Sequence, residues 1–252
     1  MLRAVDRSLF EMPTAHWRNE ALNWAEWARS GGDAYWQYHK AFFDHFVPAP
    51  SGLALDIGCG EGRTTRDLSR RRHPVIGMDA SASLVTYAKE AEPEGRYVVG
   101  DAAQLPFGDS MFDLAVAYNS LMDVDDMPRS VAEATRVLRA GGRLCLCIVH
   151  PLADAGRFVR READAPFLIE GSYLTKRLFD GTLERSGLSM RFQSWSYPLE
   201  HYALAFEAAG LLIEALREPA VPNEAVVRDP AERRWQRLPN FLFLRLLKPP
   251  DS

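Results

Sequence analysis

Between residues 53 and 150, short apolar runs alternate with stretches of helical periodicity. The apolar runs are LALDIG, PVIGMDA, RYVVGDA, FDLAVAYNS and RLCLCIVH, and the helical stretches are TTRDLSRRR, ASLVTYAKEA and MPRSVAEATRVLRAGG. Short strands that alternate with helices are typical of βαβ units, in which helices cover both faces of a parallel sheet. The alternation therefore predicts an α/β fold whose ligands bind outside the carboxyl ends of the strands.

Residues 1–50 precede this alternation and contain no strand pattern. They hold four of the six tryptophans of the chain. Aromatic and small residues recur in them at helical spacing, in two groups separated by SGGD: Trp17, Ala21, Trp24 and Ala28, and then Tyr35, Tyr38, Phe42 and Phe46. Asp33 is a candidate N-cap for the second helix. We predict a helical cap over residues 1–50.

Residues 151–198 interrupt the alternation again, with many charged, aromatic and glycine residues. SYLTKRL and LSMRFQSWSY are predicted short strands around turns at FDGTL and RSGL. LEHYALAFEAAGL then predicts a helix with a glycine C-cap, and LIEALREP and FLFLRLLKP predict two closing strands. We interpret residues 51–252 as one domain, with residues 151–198 as an insertion that forms a substrate lid.

The composition restricts the partners and the compartment. A formal net charge of −4 argues against a general nucleic-acid-binding protein and against binding to an anionic membrane, because both favour basic surfaces. Three cysteines, none in a CxxC arrangement, are typical of a reducing compartment, and Cys145 and Cys147 have the spacing of core residues on one strand face. Charges interrupt the initial MLRAVDRSLFEM, and no apolar run approaches the ~20 residues that cross a bilayer. We expect a cytoplasmic protein with neither nucleic-acid nor membrane partners; its oligomeric state stays open.

Three glycines, Gly58, Gly60 and Gly62, follow the first apolar run directly. A GxGxG loop between a strand and a helix lets a ligand approach the backbone and presents free helix N–H groups to it. A tight turn alone also explains the glycines. The loop by itself is therefore a weak indication of a nucleotide-type site.

Acidic residues accompany this loop at the predicted sheet edge. Asp79 ends the second apolar run, where dinucleotide folds place the carboxylate that accepts ribose hydroxyls, and Ser81 fills the alternative role of helix N-cap more naturally. Asp101 ends the third run. Asp56 lies inside the first run, where an unpaired buried carboxylate is costly and needs a partner. Three acids beside a glycine loop indicate a ligand site.

The spacing and the charges favour a cationic ligand. Dinucleotide-binding loops have the pattern GxGxxG and hold a pyrophosphate, which these acids would repel. A sulfonium nucleoside with an ammonium group, such as S-adenosylmethionine, suits an acidic rim. A nicotinamide dehydrogenase is disfavoured by the same glycine spacing.

Five motifs also occur in the order of a known family. LDIGCGEGR, GMDAS, GDAAQLPF, FDLAVAYNSLMDVDD and EATRVLRAGGRLCLCIVHP resemble the successive motifs of class I S-adenosylmethionine-dependent methyltransferases, most of all the small-molecule group called type 11 or UbiE-like. The resemblance covers residues 53–150. It implies a Rossmann-like, seven-stranded, mostly parallel sheet with helices on both faces and an antiparallel last strand, here FLFLRLLK.

The resemblance implies roles for the residues of the glycine loop. Asp56, Gly58 and Gly60 would flank the methionine moiety, with Cys59 in the same loop. The two glycines would be approached through their backbone. S-adenosyl-L-methionine would be the cofactor and S-adenosyl-L-homocysteine its product.

The ends of the second and third strands would hold the nucleoside, again by resemblance. Asp79 would bind the ribose hydroxyls, and Ala80 would pack on the adenine. Asp101 would receive the adenine amino group, with the amide of Ala102 nearby.

Methyl transfer is an in-line displacement, so a dedicated base is optional when the two partners are well aligned. Tyr118 and Asn119 would line the sulfonium by resemblance. His150, at the end of the fifth strand, and Asp123, where related enzymes often carry histidine, are the candidate catalytic residues. Their alternatives are a histidine satisfied by local backbone groups and a loop acid. We predict no metal site.

The favoured function is methyl transfer to a small aromatic or apolar molecule, with oxygen favoured over nitrogen or carbon as the methylated atom. A non-methylating reaction on the same fold, such as a cyclisation that uses the sulfonium as a fixed charge, is the first alternative. A non-enzymatic binding module is the second, and the complete set of glycines and acids argues against it.

Overall fold

The computed structural model describes residues 12–31, 33–185 and 187–250. Residues 1–11 of the predicted cap, with most of MLRAVDRSLFEM, lie outside the described residues, as do Gly32 of SGGD and Ser186 of RSGL. The strands are β1 (Ala54–Ile57), β2 (Val75–Asp79), β3 (Arg96–Val99), β4 (Phe112–Tyr118), β5 (Leu138–Val149), β6 (Gly156–Phe158), β7 (Phe167–Ile169), β8 (Arg177–Arg185), β9 (Leu188–Ser196), β10 (Leu212–Arg217) and β11 (Phe241–Leu247). The helices are α1 (Pro13–Asn19), α2 (Ala21–Arg29), α3 (Tyr35–His45), α4 (Arg63–Arg70), α5 (Ala82–Ala91), α6 (Met127–Val137), α7 (Pro151–Asp154), α8 (Leu199–Ala208) and α9 (Asn223–Arg228), and a 3₁₀ helix spans Pro230–Gln236.

Seven strands form one sheet in the order β10-β11-β5-β4-β1-β2-β3. β1 is parallel to its neighbours β2 and β4, and β3 and β5 extend the parallel part. β11 lies antiparallel between β5 and β10. This arrangement confirms the predicted mostly parallel sheet with an antiparallel last strand. Because the strand order reverses at β1, the carboxyl ends of β1 and β4 open a crevice.

Helices cover both faces of the sheet, as predicted. The aromatic stripe of α3, with Tyr35, Tyr38, Phe42 and Phe46, is buried against β4, β5 and β11, and the two cysteines of β5 belong to the same cluster. Helices α6 and α8 pack on the opposite face. The burial of α3 follows from its apolar residues at helical spacing. In the described part of the chain, no helix combines the length and apolar character needed to cross a membrane.

Helices α1 and α2 meet the β8–β9 hairpin. The Phe192 ring of β9 lies 5.8 Å from the Trp27 ring and 6.2 Å from the Trp17 ring, measured between centroids. His16 Nε2 lies 3.0 Å from the carbonyl oxygen of Arg191. Helices α1 and α2 and the β8–β9 hairpin therefore form one continuous cover, which we call the lid; of the predicted insertion 151–198 it contains only the hairpin.

Helix α6 ends at Val137, although the sequence predicts that it continues to the glycine pair at 141–142. Leu138 has an extended backbone, is fully buried and pairs with Phe112, so β5 begins there. The N–H of Gly141 donates to the carbonyl of Lys248 at 2.8 Å. The glycine therefore lies in a strand connection and is not a helix C-cap.

Three other local predictions also differ from the structure. Ala34 is the N-cap position of α3 and makes no side-chain capping bond, whereas Asp33 forms an ion pair with Arg63. The predicted first helix divides into α1 and α2 at Glu20. FDGTL lies inside β8, because its residues pair continuously with β9, and the two strands reverse direction between Arg185 and Leu188.

Candidate active site

The carboxyl ends of the parallel strands open into one cavity of about 820 Å³ beneath the lid. The sequence-predicted residues that line it are Gly58, Cys59, Gly60, Asp79, Ala80, Asp101, Ala102, Tyr118, Asn119 and Asp123. Asp56 and His150 are not among its lining residues. The cavity thus brings together four strand ends that are far apart in the sequence.

The glycine loop is fixed tightly against the ends of β2 and β4. Gly58 has a φ of 73°, and its N–H donates to the carbonyl of Met78 at 2.8 Å. A Cβ atom on Gly58 would lie 2.4 Å from the Cβ of Ser120, whose hydroxyl donates to the carbonyl of Ile57 at 2.6 Å. The turn therefore requires glycine both for its conformation and for space.

Gly60 lies in the cavity wall under the lid, where a Cβ atom would come within 3.1 Å of Trp24 Nε1. The neighbouring Cys59 is buried in a small cluster with side chains of α5 and β3. Burial raises the pKa of the Cys59 thiol well above its usual range, so the thiolate is disfavoured. Cys59 contributes to the loop through its backbone.

Asp79 connects the glycine loop to the end of β2. Its Oδ2 accepts a hydrogen bond from the N–H of Gly60 at 2.8 Å, and its Oδ1 accepts one from the N–H of Ser81 at 2.9 Å. Burial raises the pKa of this carboxyl, and the two backbone donors oppose the rise. Each oxygen has the capacity for a further hydrogen bond. Ser81 caps α5 by accepting from the N–H of Leu84, as predicted.

Asp101 and Ala102 form the adjacent rim at the end of β3. Asp101 is exposed, and its Oδ1 accepts a hydrogen bond from the N–H of Ala103 at 2.8 Å. Ala102 is buried. An exposed carboxylate beside a small buried residue can accept a hydrogen bond from a flat ring amine without a large desolvation cost.

Tyr118 and Asn119 end β4 at the opposite side of the glycine loop. The Tyr118 ring lies 5.1 Å from the Tyr35 ring and 5.0 Å from the Phe42 ring, so α3 holds it in place. Asn119 has a φ of 52°, and its N–H donates to the carbonyl of Cys147 at 2.7 Å. This backbone conformation is uncommon for a non-glycine residue, although asparagine adopts it more readily than most others.

Asp56 is completely buried behind the loop. Its Oδ2 accepts a hydrogen bond from the Thr65 hydroxyl at 2.6 Å, and its Oδ1 has no partner among the described residues. Desolvation raises the pKa of the Asp56 carboxyl to about 7, against the opposing effect of Thr65. Asp56 is therefore placed to support the loop from behind.

The raised pKa of Asp56 predicts a pH-dependent stability. The pKa of Asp56 is near 3.8 in the unfolded chain and about 7 in the folded chain. At pH values between these two, the unfolded chain has released a proton that the folded chain keeps. The free energy of unfolding therefore falls as pH rises through this range. Asp56→Asn removes this titration. In urea unfolding from pH 5 to pH 8, we expect the stability of Asp56→Asn relative to wild type to increase with pH by about 1–3 kcal/mol. The exposed Asp164→Asn should follow wild type throughout; a constant difference for Asp56→Asn would contradict the assignment.

His150 lies outside the cavity lining and has partners for both ring nitrogens. Its Nδ1 accepts from the N–H of Leu152 at 3.1 Å, which caps α7, and its Nε2 lies 2.9 Å from Glu218 Oε1. The imidazole is largely buried. This geometry favours the structural interpretation of His150 over the catalytic one.

Asp123, in contrast, lines the cavity. Desolvation raises the pKa of its carboxyl well above its usual range; the nearby Trp17 indole opposes this rise, and the charges of Asp79 and Asp154 add to it. Asp154 also lines the cavity, and burial raises its pKa too. A carboxylate with a raised pKa in a covered cavity is a candidate general base. Among the described residues, no group of three or more acids, histidines or cysteines is arranged to hold a metal ion.

Arg63 is a cavity residue that the sequence analysis missed. It is the first residue of α4, directly after the third glycine, and forms an ion pair with Asp33. Its guanidinium carbon lies 4.2 Å from the Tyr35 ring centroid and 5.1 Å from that of Trp24. In the sequence, only the position of Arg63 next to the glycine loop indicated that it could lie in the site. Its contacts could not be predicted, because its partners belong to the lid and to the region of α3.

Comparison with known proteins agrees with this geometry. Residues 55–146 match the family described as a methyltransferase domain. A demethylmenaquinone methyltransferase of Beutenbergia cavernae is 33% identical over 114 residues, which are 45% of this chain and 47% of that protein. The chain thus spans about half the length of this curated relative, and 38% of another that it matches.

Two solved structures show the same fold over most of the chain. An S-adenosylmethionine-dependent methyltransferase from Mesorhizobium loti has a TM-score of 0.67 at 22% identity, over 86% of this chain and 98% of that one. The [4+2]-cyclase SpnF has a TM-score of 0.62 at 18% identity, over 95% of this chain and 97% of that one. Together with the matched motifs, these likenesses confirm the resemblance found in the sequence. Residues 55–146 therefore match a methyltransferase-domain family, and the fold of the chain is that of S-adenosylmethionine-dependent methyltransferases of known structure.

Proposed function

We propose that this chain is a methyltransferase that uses S-adenosylmethionine and acts on a small aromatic or apolar molecule, with oxygen favoured as the methylated atom. The observation that carries the proposal is the cradle formed by the glycine loop and Asp79. Gly58 and Gly60 line the cavity where an added Cβ atom would lie 2.4 Å from Ser120 Cβ or 3.1 Å from Trp24 Nε1, and a carboxylate with spare acceptor capacity stands beside them. This cradle fits a nucleoside with a cationic substituent.

Different residues of the rim would then bind different parts of the cofactor. The methionine moiety would lie against Gly58 and Gly60, the ribose hydroxyls would donate to Asp79, and the adenine amino group would donate to Asp101. Ala80 and Ala102 would contact the adenine ring, and Tyr118 and Asn119 would face the sulfonium. When bound, the cofactor supplies an electrophilic methyl group.

The side chains of the lid favour an apolar acceptor and a site from which water is excluded. Aromatic side chains of the lid and of the segments beyond it line the cavity: Trp17, Trp24, Trp27, Phe158, Phe179, Phe192 and Trp235. These rings exclude water and offer flat surfaces to an aromatic molecule. Alignment of the acceptor with the methyl group can supply most of the rate acceleration, and Asp123 can accept the proton of an acceptor hydroxyl.

An acceptor screen that measures release of S-adenosylhomocysteine tests this function. With an active acceptor, Asp123→Asn should lower the rate of transfer by about 100-fold, the usual contribution of a general base. The wild-type rate should rise with pH as Asp123 loses its proton, and this dependence should be absent in Asp123→Asn. His150→Gln, the matched comparison, should keep both the rate and the pH profile. A loss of the pH dependence in His150→Gln alone would transfer the role to that histidine.

A non-methylating reaction such as a cyclisation is the second candidate, favoured by the likeness to a cyclase, which concerns the fold alone. The same screen discriminates between the two. Conversion of an acceptor without stoichiometric release of S-adenosylhomocysteine would support the second candidate.

A further inference from the structure

Charged side chains of both signs line the cavity. The strand ends contribute the acids Asp79, Asp101 and Asp123. The part formed by β6, the β6–β7 loop and the 3₁₀ helix contributes four arginines, which we call the arginine wall: Arg157, Arg160, Arg161 and Arg234. An acidic rim suits a cationic cofactor, whereas the arginine wall suits an anion.

Three arginines of this wall have acidic partners near the surface. Arg157 pairs with Glu170 at 2.8 Å, Arg160 with Glu162 at 3.2 Å, and Arg161 with Asp229 at 3.0 Å. All of these side chains are exposed, so the pairs are weak and easily exchanged.

Arg234 differs, because it forms no ion pair with any residue in the described part of the chain. Its Nη1 donates to the carbonyl of Arg161 at 3.2 Å, and its guanidinium carbon lies 5.6 Å from the Phe158 ring centroid. Its Nε is buried without a partner. The guanidinium is thus held in place by neutral groups, and no ion pair within the described ranges neutralises its charge.

The segment around Arg234 is anchored to the β6–β7 loop. Arg237 donates to the carbonyl of Ala163 at 3.0 Å and to that of Ala165 at 2.9 Å. The Trp235 ring packs edge-on against the Phe158 ring, with centroids 4.9 Å apart. The fixed cation therefore stands next to an aromatic surface inside the cavity.

Other acids also line the cavity, among them Asp154, Glu184 and Glu232. None of these three forms an ion pair with Arg234 within the ranges that the structure describes. Burial raises the pKa of the Tyr38 hydroxyl, and the charge of Glu232 adds to this rise. A guanidinium without an ion-pair partner favours a ligand that carries one negative charge. Because a guanidinium can donate two parallel N–H groups, a carboxylate fits its geometry.

We infer that the acceptor is a planar, apolar molecule bearing a carboxylate, which Arg234 binds while Phe158 and Trp235 contact the ring system. This inference rests on the proposed function and specifies the substrate class of the same cavity.

The test uses the full chain saturated with S-adenosylhomocysteine and two ligands of matched shape, 2-naphthoate and 2-naphthamide. Titration calorimetry should give an affinity for the carboxylate about tenfold or more above that for the amide. Arg234→Gln should remove this preference, and Arg234→Lys should keep part of it. Arg233→Gln, in the same 3₁₀ helix but outside the cavity lining, should keep all of it. The preference should decrease as sodium chloride is added.

Equal affinities in wild type, a preserved preference in Arg234→Gln, or binding of neither ligand up to ~10 mM would overturn the inference. If Arg234→Gln has a lower melting temperature than wild type, the carboxylate preference of Arg234→Lys and its salt dependence in wild type test the inference in its place. Failure of the wild-type chain to bind S-adenosylhomocysteine, measured first on the same samples, would contradict the proposed function itself. Binding of that nucleoside with no carboxylate preference would overturn only the inference.

Discussion

Gly58→Ala should lower the free energy of unfolding by about 2–5 kcal/mol and abolish measurable binding of S-adenosylhomocysteine. The added Cβ would lie 2.4 Å from the Cβ and 2.9 Å from the hydroxyl oxygen of Ser120. Ser120 cannot move without breaking its 2.6 Å hydrogen bond to the carbonyl of Ile57, at the end of β1. The loop would therefore shift into the space proposed for the methionine moiety. Chemical unfolding and titration calorimetry measure the two effects.

Gly141→Ala is the matched control. Gly141 has a φ of 77°, close to the 73° of Gly58, but a Cβ on it would meet nothing within 4 Å. This variant should lose only the conformational advantage of glycine, about 1–2 kcal/mol, and should keep its affinity for S-adenosylhomocysteine. Equal losses of stability in the two variants would mean that the collision with Ser120 is relieved without cost.

The parallel sheet and its functional edge could be predicted because their signals are local in the sequence. Strands buried on both faces appear in the sequence as short apolar runs; the glycines directly follow the first run, and Asp79 ends the second. The buried face of α3 could be predicted in the same way, because Tyr35, Tyr38 and Phe42 recur at helical spacing, and the structure buries all three. In each case the residues that determine the element are neighbours in the chain.

The remaining features depend on partners that are distant in the sequence. Arg234 donates to the carbonyl of residue 161, and His150 lies against Glu218; these pairs are separated by 73 and 68 positions. Asp33 was predicted as an N-cap. The sequence does not show that its ion-pair partner Arg63, on another helix, lies beside it. No periodicity or motif encodes such contacts. For this reason the glycine loop and the acids at the sheet edge could be anticipated from the sequence, whereas the arginine wall could not.

Asp79→Ala should weaken the binding of S-adenosylhomocysteine by about 1.5–3 kcal/mol, or roughly 10- to 150-fold, while the chain remains folded. The carboxylate is proposed to accept both ribose hydroxyls, and charge-assisted hydrogen bonds in a covered cavity are among the stronger ones. The substitution also leaves the N–H groups of Gly60 and Ser81 without their acceptor. A loss of affinity alone would not separate a direct contact from a disordered loop.

A pair of nucleosides separates these two explanations. If Asp79 binds the ribose, wild type should prefer adenosine over 2′,3′-dideoxyadenosine, and Asp79→Ala should bind both with equal, low affinity. If Asp79 only supports the loop, the substitution should weaken both ligands by the same factor and leave the preference intact. Asp101→Ala, which removes the exposed acid at the neighbouring strand end, should retain the preference for adenosine, because that carboxylate is proposed to contact the base. An intact preference in Asp79→Ala would therefore place the ribose elsewhere, even if the affinity for S-adenosylhomocysteine fell as expected.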